Sequence, residues 1–117
     1  MSGVTLDDLT RLVIAFRDER DWQPFHNPKD VAISLSLEAA ELLELMQWRV
    51  GPELASHLQD SKQQVGEELS DVLYWVLLLA HDLDIDLVAA FRDKLAINAA
   101  KYPVEKSRGS SRKYTEL

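Results

Sequence analysis

Two pairs of carboxylates, each spaced three residues apart, are the part of this sequence best equipped for chemistry: Glu38-Ala39-Ala40-Glu41 and Glu68-Leu69-Ser70-Asp71. Advancing about 100° per residue around a helix places Val31, Leu35, Leu42 and Leu45 within about 60° of Glu38. Glu41 stands on the shoulder of that face. The second pair repeats the pattern: Val65, Val72, Trp75 and Leu79 surround Glu68, with Asp71 on the shoulder. A single helical glutamate ordinarily marks a solvated face. Two matching pairs set on the apolar stripes of two helices do not fit that reading. Carboxylates buried without a partner must take up protons or gain a cation. An all-oxygen ligand set suits a hard ion, Mg²⁺ or in its place Mn²⁺. Glu44 lies farther round its helix, to serve a second metal or to face water, and Glu67 reads as structural.

The elements that must carry these acids are helices. Gly and Pro are scarce, four of each, and no stretch alternates apolar and polar residues as a half-buried strand would. The pattern predicts an all-α fold, a four-helix bundle with a tail. Thr5 with Asp8 forms a capping box for a first helix to about Arg20, whose stripe is Leu9, Leu12, Val13 and Phe16. Asn27-Pro28 caps a second helix running to about Arg49, ahead of Gly51-Pro52. A short helical segment from Pro52 to Leu58 leads to a third helix over Ser61–Leu83. Asp86 then caps a fourth that ends near Tyr102, before Pro103. Residues 1–103 are expected to form the domain and residues 104–117 a mobile basic tail.

Charge narrows the function. Residues 1–100 carry 8 Lys or Arg against 18 Asp or Glu, while residues 101–117 carry 5 against 2. An acidic body repels polynucleotide phosphates, so no nucleic-acid partner is expected. A small anion can bind if a divalent cation offsets the charge. With no cysteine, disulfides, thiolate metal sites and thiol catalysis are excluded. The longest apolar run, Val72–Ala80, is too short to span a bilayer, and no signal pattern opens the chain, so a cytoplasmic protein without a membrane partner is expected.

Other residues complement the acids. Lys94, Asn98, Lys101 and Tyr102 fall within an arc of about 100° on the fourth helix, a strip of cations, amide and phenol that suits a polyphosphate. A solvated helix end, with lysines favoured by the C-terminal dipole, is the plainer account of Lys101. Trp22 and His26 lie in a polar loop, where an indole has little core to join and can stack on a base beside a hydrogen-bonding imidazole. Trp48 and Trp75, on apolar helices, would ordinarily be core. No Gly-rich phosphate loop is present, which excludes a P-loop mechanism. No Glu-x-x-His motif is present either, since positions 41 and 71 are Glu and Asp, and this argues against a di-iron carboxylate centre.

The acid pairs, with Arg20-Asp21-Trp22, Phe25-His26-Asn27-Pro28, Met46-Gln47-Trp48, Glu67-Glu68-Leu69-Ser70-Asp71, Ile97-Asn98, Lys101-Tyr102-Pro103 and Ser111–Leu117, resemble the MazG-like all-α NTP pyrophosphohydrolase superfamily over nearly the whole chain. The resemblance is strongest to its dCTP pyrophosphatase branch. It implies that Glu38, Glu41, Glu68 and Asp71 are the Mg²⁺ ligands and catalytic acids. It implies that Trp22, His26 and Trp48 belong to a base pocket closed by Asn98 and Tyr102, with Lys94 and Lys101 near the phosphates. It further implies a homotetramer whose sites are shared between subunits. Trp75 departs from the family pattern, where Tyr or a smaller group is expected, and bears on base preference.

The activity so implied is hydrolysis of dCTP, or a modified dCTP, to dCMP and pyrophosphate, in nucleotide-pool sanitation. Water attacks in line at the α-phosphorus, with Glu41 or Glu38 orienting or deprotonating it. A related substrate (dUTP, another NTP, phosphoribosyl-ATP) and a non-catalytic oligomerisation module are the alternatives. Self-association has support in the residues themselves. Leu37, Leu43, Met46, Leu73, Leu77 and Leu78 make the second and third helices apolar over more than one stripe.

Overall fold

The computed structural model describes residues 3–117, so the first two residues of the expected domain lie outside it. Among the described residues the fold is all-α, with six helices and two short 3₁₀ turns and no strand. The helices are α1 (Leu6–Asp18), α2 (Pro28–Glu44), α3 (Gly51–Asp60), α4 (Lys62–Asp82), α5 (Leu87–Lys101) and α6 (Val104–Ser107). The predicted four-helix count is thereby corrected. The segment expected over Pro52–Leu58 belongs to a full ten-residue helix that starts at Gly51, and Val104–Ser107 closes one turn of its own. The chain forms two compact units, one ending at Asp84 and one from Ile85 to Leu117.

Local chemistry explains the helix starts. Thr5 Oγ1 accepts from the Asp8 N–H at 3.1 Å, and Asp8 Oδ2 accepts from the Thr5 N–H at 2.9 Å, completing the capping box. These bonds hold the Asp8 carboxyl below its ordinary range. Asn27 Oδ1 accepts from the Asp30 N–H at 2.9 Å, and Pro28 occupies the first turn of α2. Asp86 Oδ1 accepts from the Ala89 N–H at 3.1 Å to open α5. Ser61 alone separates α3 from α4.

The end of α2 departs from the sequence expectation. The helix stops at Glu44 rather than near Arg49. The N–H groups of Met46 and Gln47 both donate to the Leu43 carbonyl at 2.9 Å, tightening the last turn, and Trp48 then takes a left-handed backbone at φ 72°.

In the first unit α4 packs against α2, α1 and α3. Val13, Val31, Leu77 and Leu78 are its buried apolar residues. Arg17 is buried with them, and its guanidinium reaches Asp82 in a fork, Nη1 to Oδ2 at 2.8 Å and Nη2 to Oδ1 at 3.0 Å. This pair ties the C-terminal turn of α1 to that of α4, just before the loop bearing Trp22 and His26. Many apolar side chains stay exposed, among them Ile33, Leu37 and Leu43 on α2 and Leu69 and Leu73 on α4. No helix among the described residues is long and apolar enough to cross a membrane.

Candidate active site

The face of α2 that buries Val31 carries Glu38, and the face of α4 that half-buries Val65, Val72 and Trp75 carries Glu68. Packing of α2 on α4 brings the two acids together. Glu38, Glu41 and Glu68 each offer a carboxylate oxygen within 4.8 Å of the others. Glu38 and Glu68 are half-buried, whereas Glu41 and Asp71 are exposed, as their positions on the shoulders require. Asp71 lies outside that three-acid grouping, but its charge acts on both Glu38 and Glu68.

The acids perturb one another. Oε2 of Glu38 and Oε2 of Glu68 are both buried without a hydrogen-bond partner. Burial, with a hydrogen bond to Glu41 and repulsion from Glu41, Asp71 and Glu68, pushes the Glu38 carboxyl up to about 7. Glu68 is raised in the same way, by burial first and then by Glu41. Two orphaned oxygens among converging carboxylates fit a hard, oxygen-seeking cation. The donor set contains no nitrogen or sulfur.

A cavity of about 490 Å³ adjoins the acids. Glu38 and Asp71 form part of its lining, and the rest is Leu12, Val13, Phe16 and Trp22 from α1 and its loop, with Tyr74 and Trp75 from α4. The aromatic walls pack edge to face: Phe16 with Trp22 at 5.9 Å, Phe16 with Tyr74 at 6.1 Å, and Tyr74 with Trp75 at 4.9 Å between ring centroids. Burial raises the Tyr74 hydroxyl above its ordinary value, against the opposing effect of Arg17 and Arg20. His26 meets Trp22 at 6.4 Å and Trp75 at 5.4 Å, and its Nδ1 is buried without a partner. Burial, then the Arg17 charge, holds this imidazole below its usual value, so it is neutral near pH 7.

The residues expected from sequence therefore divide. Trp22, Glu38 and Asp71 line one cavity, Glu41 and Glu68 stand at its acidic end through Glu38, and His26 contacts two of its walls. Trp48 does not join them. It is off the helix, 91% exposed and absent from the cavity lining. Lys94, Asn98 and Lys101 lie on α5 of the second unit, and Tyr102 ends that helix, its N–H donating to the Asn98 carbonyl at 2.9 Å. Sequence reasoning assigned Leu12, Val13 and Phe16 to a packing stripe and did not single out Tyr74. Aromatic residues at 16, 74 and 75 on two amphipathic helices were the available signal.

A family model described as the MazG-like family matches residues 33–117, which include all four acids. The chain belongs to the MazG-like family. Within it, the chain is 44% identical to dCTP pyrophosphatase 1 of Homo sapiens, over 97% of this chain and 68% of that protein. It is 40% identical to dCTP pyrophosphatase 1 of Bos taurus, over 99% of this chain and 70% of that protein. A crystal structure of a pyrophosphatase from Archaeoglobus fulgidus superimposes with a TM-score of 0.81 at 36% identity, covering 88% of this chain and 96% of the other. A MazG-like chain of this kind is a nucleoside triphosphate pyrophosphohydrolase.

Proposed function

We propose that this protein is a Mg²⁺-dependent dCTP pyrophosphohydrolase, converting dCTP and water to dCMP and pyrophosphate. One observation carries the reading: a single cavity has aromatic walls at Phe16, Trp22, Tyr74 and Trp75 and carboxylates at Glu38 and Asp71. A nucleobase fits the first part and a cation-bound phosphate chain the second. The relatives' name, dCTP pyrophosphatase, supports the same substrate.

In this reading Glu38, Glu41, Glu68 and Asp71 hold Mg²⁺ (or Mn²⁺). When bound, the cation supplies charge neutralisation and polarisation of the phosphate oxygens. Glu41 or Glu38 orients the attacking water and accepts its proton as oxygen adds to the α-phosphorus. The bond from that phosphorus to the bridging oxygen breaks, and pyrophosphate departs. Trp22 stacks on the base, and neutral His26 directs a hydrogen bond to it. For Lys94, Asn98, Lys101 and Tyr102, on and at the end of α5 in the second unit, the resemblance to the family supports roles toward phosphates and nucleoside. Trp48, exposed and apart from its own cavity, is available to a site shared between subunits.

The assembly is a homotetramer, a reading supported by the exposed apolar residues Ile33, Leu37, Leu43, Leu69 and Leu73. The protein acts in the cytoplasm on free nucleotides, without polynucleotide or membrane partners. Pyrophosphate release from a panel of dNTPs and NTPs, with Mg²⁺ or with EDTA, tests the function. Mg²⁺-dependent release from dCTP above the others is expected. Equal release from many nucleotides would remove the specificity, and no release from any would overturn the activity.

A further inference from the structure

The C-terminal segment after α5 carries four basic residues against two acidic ones in an otherwise acidic protein, and in the second unit it folds back on itself. Tyr114 packs edge-on to Tyr102 with ring centroids 6.0 Å apart, and Lys101 Nζ lies 4.8 Å from the Tyr114 ring. Between α6 and the 3₁₀ turn at Tyr114–Glu116 the chain makes a tight turn. The Ser110 N–H donates to the Ser107 carbonyl at 3.0 Å, Arg108 sits at φ −57° and ψ 122°, and Gly109 takes φ 73°. These are the angles of a type II turn, whose third position needs glycine. Ser110 Oγ then accepts from the Arg112 N–H at 3.2 Å, fixing the next bend.

The turn borders a hollow of about 710 Å³ whose lining includes Lys106, Ser110, Ser111, Arg112 and Glu116. Among the described residues neither Lys106 nor Arg112 has a carboxylate within 4.0 Å, so neither cation is held in an ion pair. Ser107, which opens the turn, has a buried hydroxyl with no hydrogen-bond partner. We infer that the hollow bounded by Lys106, Ser110, Ser111 and Arg112 is a binding site for a pyrophosphate-class anion. The guanidinium supplies a planar donor fork, the ammonium a point charge and the two serines hydroxyl donors, a combination matched to tetrahedral phosphates. Glu116 opposes the anion and weakens its binding. Unlike the acid cluster, these residues attract phosphate directly and need no cation. The choice of pyrophosphate over other anions rests on the proposed activity.

Two sources carry this chemistry: the phosphate chain of the nucleotide and the released product. Calorimetric titration of the full chain with pyrophosphate in EDTA isolates the site from any metal-dependent binding. Wild type should bind. The double variant Lys106→Ala, Arg112→Ala should lose about tenfold or more in affinity, and Glu116→Gln should bind more tightly than wild type. No binding by wild type, or unchanged affinity in the double variant with its helix content intact, would overturn the site. With Mg²⁺, a raised KM for dCTP in the double variant assigns the site to the substrate's phosphates. An unchanged KM with weaker inhibition by pyrophosphate assigns it to the product. Binding in EDTA through these residues in a protein that hydrolyses no nucleotide would uphold the site while the proposed function fell.

Discussion

Glu38 and Glu68, on two different helices, face each other with Oε2 of each buried and neither oxygen hydrogen-bonded. The contact is unfavourable without a countercharge, and it sits where α2 packs on α4. A fold that needed only a tight helix interface would place apolar residues there. The acids are an expense of stability that a bound cation offsets.

The pH dependence of the metal-free protein follows. Folded Glu38 holds its proton up to about 7, whereas an unstructured glutamate releases it near 4.5. Between those values the folded state binds more protons, so stability falls as pH rises from about 4.5 to about 7 and levels off above. His26, held below its ordinary value, contributes the opposite slope. Comparing wild type with Glu38→Gln in EDTA removes that common part. The wild type should lose melting temperature relative to the variant across this window; a constant difference would show that Glu38 is not perturbed.

Glu41→Gln keeps the side-chain shape and removes the charge. It should leave the helices intact while lowering kcat by about 100-fold or more, the usual scale for loss of a positioned base or metal ligand. Steady-state pyrophosphate release with a circular-dichroism melt checks both halves. Near-normal turnover in the folded variant would remove Glu41 from the chemistry.

How far the sequence disclosed this arrangement depends on the range of the forces involved. The caps at Thr5, Asn27 and Asp86 are local hydrogen bonds, so residue type and spacing reveal them. The acid pairs were legible because Glu on an apolar stripe conflicts with the helical pattern. The end of α2 was not, since neither Gly nor Pro appears between Glu44 and Gly51 to mark it. Arg17 and Asp82 are 65 positions apart, and no periodicity pairs them. The cavity is not legible for a similar reason: Phe16 and Tyr74 look like core on their own helices, and become walls only when α1 lies beside α4.

Trp22 offers the test of the aromatic wall. Stacking of a base on an aromatic side chain is worth about 1–3 kcal/mol, so Trp22→Ala should weaken dCTP binding by about tenfold or more. The effect should fall mainly on KM. Trp75→Tyr, which trims the same cavity, should change the ratio of kcat/KM between dCTP and other nucleotides. An unchanged ratio would place Trp75 outside base selection.

The Arg17–Asp82 fork is a folding determinant. Arg17 has only 3% of its side chain exposed, and Asp82 19%. Asp82→Ala would leave a buried guanidinium unpaired, at a cost of about 3–5 kcal/mol. Urea unfolding should register that loss. A change below about 1 kcal/mol, the range of exposed pairs, would mean that solvent replaces the carboxylate.

A cation held by Glu38, Glu41, Glu68 and Asp71 would register in calorimetric titration with Mg²⁺ alone. Wild-type protein should bind Mg²⁺ without nucleotide present, and the double variant Glu38→Gln, Glu68→Gln should show no measurable heat while melting at a higher temperature than metal-free wild type. Equal Mg²⁺ binding by the folded double variant would remove Glu38 and Glu68 as ligands.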